Sequence, residues 1–188
     1  RAAELLRPVA TSPEGSPEAK IVYADILNHY SHRLPLETAV ETCKEAREVL
    51  AALGARELED LRATAVYADT ADSEARHALS LGRVDDAARL EQEVYELAEK
   101  VLAQRPGDLR SMRNRALAAD LLGTLAGRRH DFAASQEFAV KSEQAGENYV
   151  RFNPSDVGAW VYWVSGKGAL ADALLEQGRV EQAIVNDL

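Results

Sequence analysis

Leu81-Gly82-Arg83-Val84-Asp85-Asp86-Ala87 returns near the other end of the chain as Gln177-Gly178-Arg179-Val180-Glu181-Gln182-Ala183. A looser copy, Ala126-Gly127-Arg128-Arg129-His130-Asp131-Phe132-Ala133, lies between them. Each places a glycine after a helical run, followed by a short polar or apolar pair, an acidic residue and an alanine. Glycine accepts the left-handed backbone that closes a helix, and alanine lets the next helix approach its neighbour closely. The stretch therefore reads as the tight turn of a helix hairpin, and its recurrence marks a repeat protein. Ala87 and Ala183 stand two repeats apart, which sets about 48 residues per repeat.

A second kind of junction alternates with the first. Arg105-Pro106-Gly107-Asp108 and Asn153-Pro154-Ser155-Asp156 each follow a long helical run and precede another. Proline stops the earlier helix, and aspartate or serine caps the next by accepting its free amide protons. Thr11-Ser12-Pro13-Glu14-Gly15-Ser16-Pro17-Glu18 does the same, with Ser16 as N-cap and Pro17 in the first helical position. The junctions predict helices over about 17–32 and 36–53, 57–81 and 84–104, 108–126 and 131–152, and 156–177, with a last one from about 180. They form a single repeat domain over residues 1–188, in pairs 17–53, 57–104, 108–152 and a truncated 156–188. Residues 1–8 read as the end of a preceding helix.

Side-chain spacing agrees. Ala87, Leu90, Val94, Leu97, Ala98, Val101 and Leu102 recur at threes and fours, leaving Glu91, Glu93, Glu96 and Lys100 outward. Leu117, Leu121, Leu122 and Leu125 repeat the pattern, and no stretch alternates with period two. The fold class is all-α.

Composition points the same way. Of 188 residues, 46% are hydrophobic and 28% charged, which suits a chain able to bury a core. Only 6% are aromatic, and the helix formers Ala, Leu, Glu and Arg recur throughout. The net charge of −9 argues against phosphate-driven nucleic-acid binding, which needs clustered cations. Cys43 is the one cysteine, so an internal disulfide is excluded, and no Cys/His cluster is spaced for a structural metal. No run reaches the ~18 apolar residues of a membrane span, and no charged start followed by an apolar signal segment is seen; the compartment is left open, with a soluble, cytoplasmic protein favoured. The sequence starts without Met and stops a few residues into a predicted helix, and it reads as cut at both ends.

Leu174-Leu175-Glu176-Gln177-Gly178-Arg179-Val180-Glu181-Gln182-Ala183 resembles the core of a tetratricopeptide repeat (TPR), and Pro106 and Pro154 match that family's terminal proline. The repeat length of about 48 departs from the usual ~34, so the helices are longer than standard. The resemblance implies a superhelical stack of antiparallel helix pairs, an α-solenoid. It is similar to extended arrays attached to bacterial Ser/Thr kinases and winged-helix regulators. In such a stack the concave groove, lined mainly by the first helix of each pair, holds a peptide or partner helix.

Chemistry-bearing patterns are few. Asp25, His29 and His32 share a helical face and could in principle hold a metal, but a plain polar face near a turn is the favoured reading. His77 and His130 stand alone. No nucleophile elbow, HExxH pair or phosphate loop is present. Gly166-Lys167-Gly168 lacks a preceding strand and the glycine spacing of a phosphate loop, so its small residues fit close helix packing. Trp160, Tyr162 and Trp163 cluster just after Tyr149 and Phe152; they either fill the wedge between repeats or form a binding hot spot. Arg110, Arg113, Asn114 and Lys167 are groove candidates able to grip a carboxylate. The first three resemble the family's carboxylate clamp in residue type, while its spacing is not matched, and a solvated helix start is the favoured explanation for them. The expectation is a scaffold binding a peptide or partner protein through Arg110, Arg113, Asn114, Trp160, Trp163 and Lys167, without catalytic residues, metal or cofactor. Self-association as a homo-oligomer, and a sensory part of a signalling kinase or transcription regulator, are the alternatives.

Overall fold

The computed structural model describes residues 2–10, 12 and 14–187. Among them every regular element is an α-helix, in the order α1 (Ala2–Ala10), α2 (Pro17–Ser31), α3 (Leu36–Ala51), α4 (Leu61–Ser80), α5 (Val84–Gln104), α6 (Leu109–Arg128), α7 (Phe132–Phe152), α8 (Val157–Glu176) and α9 (Val180–Asp187). The chain divides into two compact units, residues 1–97 and 98–188, the division falling inside α5.

In the first unit α1 packs on α2, α2 on α3, α3 on α4, and α2 also on α4. Its core is rich in alanine: Ala24, Ala39, Ala46, Ala63, Ala71 and Ala75 are fully buried around Tyr23, Leu50 and Tyr67. Small side chains bring backbones together, and the larger ones fill what remains. One polar cluster crosses this interior. Arg47 of α3 donates to Glu74 of α4 at 2.7 Å and to the Tyr67 hydroxyl at 2.9 Å. That hydroxyl also accepts from Arg56 and donates to Glu93 of α5, so its hydrogen-bonding capacity is used in full. Burial works against the charge on Arg47, but its bond to Glu74 and that carboxylate's charge outweigh it and keep the guanidinium protonated.

In the second unit α6 packs on α7, α7 on α8, α8 on α9, and α6 also on α8. Two apolar clusters hold it. Met112, Tyr149, Val150 and Ala159 form one, with Leu102, Tyr162 and Trp163 against it. Ala139, Leu170, Ala171, Ala173, Leu174 and Ala183 form the other. Between α7 and α8 the approach is closest at glycine. A Cβ on Gly146 would stand 2.5 Å from Trp163 Cα, and one on Gly166 would stand 2.6 Å from the Glu143 amide nitrogen. Gly166 is thus a packing residue.

From α3 onward the helix starts follow a strict period. α3, α5, α7 and α9 begin at Leu36, Val84, Phe132 and Val180, each 48 residues after the last. α4, α6 and α8 begin at Leu61, Leu109 and Val157 and end at Ser80, Arg128 and Glu176, with the same interval. Their N-caps are Asp60, Asp108 and Asp156, and each carboxylate accepts from an amide of the first turn. Two details differ from the sequence expectation. α4 begins at Leu61, not near 57, because Gly54 and Leu58 take left-handed φ values of 67° and 61° and the cap falls to Asp60. In the middle hairpin turn, Gly127 lies within α6, and His130 takes the left-handed position at φ 60° that Gly82 and Gly178 occupy in the other two. The looser copy is therefore out of register, its glycine by three residues, and Ser135, not Ala133, matches Ala87 and Ala183.

Candidate binding surfaces

α8 is apolar on nearly all sides, a pattern expected of a helix covered all round. One face is covered by α7 through Gly146 and Gly166. On the other, Val157, Trp160, Val161 and Val164 follow one another at helical spacing and remain exposed, by 76, 43, 54 and 64%. The Trp160 indole donates to the Pro154 carbonyl at 2.9 Å, which pins the ring over the start of the helix. Trp163, half-buried, meets Trp160 with ring centroids 5.5 Å apart and carries the Lys167 ammonium 5.9 Å above its own centroid. The structure thus brings Trp160, Trp163 and Lys167 together. The sequence singled out these three residues but not the valines beside them. The valines were legible too, since 157, 160, 161 and 164 mark one helical face.

Tyr162 turns inward and stacks on Tyr149, centroids 6.2 Å apart and planes within 16°. The Tyr149 hydroxyl donates to Asp156 Oδ2 at 2.7 Å, while Asp156 Oδ1 accepts from the Gly158 amide. The two groups shift each other: burial, then the bond to Asp156, pushes Tyr149 up to about 12, and that bond holds the Asp156 carboxyl below its ordinary range. The positive charge of Arg113 acts on both, favouring their ionised forms. Arg113 therefore sits electrostatically close to the α7–α8 junction. Arg110 is half-buried in the first turn of α6. Asn114 is buried, and among the described residues its amide nitrogen has no hydrogen-bond partner. These three lie along α6, and the α8 stripe is a separate surface.

In the first unit His32 lies against His77, ring centroids 5.4 Å apart. Their Nε2 atoms reach the Ser73 and Ser31 hydroxyls at 3.4 and 3.3 Å. Burial, and then the charge of His32, holds the His77 imidazole below the ordinary histidine range. Among the described residues no three metal-ligating side chains are gathered. Cys43 is fully buried, and burial pushes its thiol up to about 11. Among the described residues no helix is long and apolar enough to cross a membrane. No family model matches the sequence. No curated protein matches it either.

Proposed function

We propose that the chain is a TPR-like solenoid of 48-residue helix pairs that binds a partner protein, its work being recognition and not catalysis. The strict interval between helix starts, N-caps and buried alanines supports the repeat architecture. The observation that carries the binding role is the open apolar stripe on α8. The matching face of α6, one repeat earlier, is covered: Met112, in the register of Trp160, is only 3% exposed beneath Tyr149 and Val150 of α7 and Ala159 of α8. A face of this kind is shaped for helices. The occupant is therefore an amphipathic helix of the partner, its apolar side on Val157, Trp160, Val161 and Val164, with Trp163 and Lys167 at the edge. Such a module suits the regulatory part of a larger signalling protein.

The test is selection of helical peptides from a displayed library against the full chain, followed by titration with Trp160→Ala and Val164→Asp. Amphipathic helices should emerge, and both variants should weaken them about tenfold or more. Binders indifferent to both substitutions would refute the α8 surface. Self-association is the second reading, favoured by exposed Leu5 and Val9 on α1 and Ile184 and Val185 on α9. Light scattering over a concentration series tests it; a monomer throughout excludes it.

A further inference from the structure

Between the C-terminal halves of α6 and α8, over the start of α7, lies an open cleft of about 290 Å³. Three departures from the 48-residue register carve it. Gly123 stands where the sister helices carry Ala75 and Ala171, and Gly127 where they carry Leu79 and Leu175. Ser135 stands where α3, α5 and α9 carry the buried alanines Ala39, Ala87 and Ala183. A Cβ on Gly127 would lie 3.3 Å from Ser135 Oγ and 3.8 Å from Glu176 Oε2, so any larger side chain there enters the cleft.

Of the polar groups around this space Ser135 is buried, whereas Arg128, Asp172 and Glu176 are exposed. Ser135 is 8% exposed, lines the cleft, and its hydroxyl makes no hydrogen bond among the described residues. The buried hydroxyls of Thr64, Thr70 and Ser73 all donate to a carbonyl one turn back. Arg128 enters from α6, and Asp172 and Glu176 from α8; none of the three has an ion pair among the described residues. The two carboxylates are four residues apart in the last turns of α8, where like charges repel and the helix dipole disfavours anions. The sister positions carry Thr124 and Arg128 on α6, and Arg76 and Ser80 on α4, so the acid pair is particular to this corner. A cation between them relieves both penalties.

We propose that this cleft binds a single basic residue, arginine or lysine, bearing a free carboxylate. Its cation lies against Asp172 and Glu176, its carboxylate against Arg128, and Ser135 supplies a further hydrogen bond. The space fits one residue, falling just under the ~300 Å³ at which pockets for larger ligands begin. The same chemistry is offered by the free amino acid and by the last residue of a peptide.

Calorimetric titration and amide chemical shifts of the full chain test it. The probes are L-arginine, L-lysine, acetyl-Gly-Gly-Arg with a free terminus, and its C-terminal amide. Binding is expected for the free acids, with shifts confined to α6, α7 and α8. Asp172→Asn with Glu176→Gln should weaken it about tenfold or more. Arg128→Gln should weaken the acids and leave the amide unchanged. Gly127→Leu should abolish binding while helicity by circular dichroism is retained. Tighter binding of the peptide identifies a chain end as the ligand, and equal or tighter binding of the amino acid identifies the free species. No binding of any probe at millimolar concentration overturns the proposal, as does binding that survives both the carboxylate changes and Gly127→Leu. Trp160→Ala should leave this binding untouched, so the cleft and the α8 stripe stand or fall separately.

Discussion

Gly166 and Gly168 are two residues apart on α8 and answer to opposite demands. A methyl group at 166 meets the α7 backbone at 2.6 Å, whereas one at 168 meets nothing within 4 Å. Gly166→Ala, like Gly146→Ala, must push α7 and α8 apart, and a loss of about 1–3 kcal/mol is expected. Gly168→Ala gains helix propensity and should stabilise by about 1 kcal/mol. Urea unfolding of the three variants checks the sign of each, and a stabilised Gly166→Ala would refute the close packing. His77 offers a second test. Its folded pKa is depressed, so the unfolded chain takes up its proton first as pH falls. Its contribution to stability is therefore present above the ordinary histidine value of about 6.5 and is lost as pH falls below it towards the folded value. Denaturation midpoints between pH 7.5 and 5 (a range of about 2.5 units about that value) should decline less in His77→Gln than in the parent. Equal slopes would show that His77 plays no part.

Helix by helix, the limits were legible wherever one residue carries the signal. Gly82 and Gly178 announce their turns because few other residues accept positive φ, and Asp108 and Asp156 announce starts because a short carboxylate reaches the free amides. The exceptions have physical reasons. At the middle turn glycine and the left-handed position are three residues apart, since α6 runs through Gly127 and the left-handed residue is His130. Before α4 the left-handed Leu58 gives no sequence signal at all. Composition exposed the tryptophans but could not separate Trp163, which packs inward, from Trp160, which stays open. The cleft was invisible because it arises from missing side chains, which become meaningful only once the register is known. His130→Gly follows from that register. It removes the cost of a left-handed backbone with a side chain, set at about 1–2 kcal/mol for a general L-residue, against a glycine entropy penalty of about 0.5–1 kcal/mol. A small net stabilisation in urea is expected. Marked destabilisation would mean that the His130 ring contact with Phe132, centroids 6.0 Å apart, matters more than the backbone.

Across the whole chain, the proposed repeat architecture provides its own reference. On that reading, positions 48 residues apart inside the stack have corresponding neighbours, so sister residues show which side chain the architecture favours. By that standard Gly123, Gly127 and Ser135 are all poor choices: two glycines inside a helix and a hydroxyl in an apolar position. Restoring the sister residues with Gly123→Ala, Gly127→Leu and Ser135→Ala should stabilise the protein. Each glycine replaced contributes about 1 kcal/mol through helix propensity, and the leucine adds burial in space that Ser135→Ala has widened. A gain of at least ~2 kcal/mol in urea is therefore expected, together with loss of arginine binding. That pairing is the signature of stability given up for a site. If the triple variant is no more stable than the parent, the three departures are neutral drift, and the cleft loses its strongest structural support.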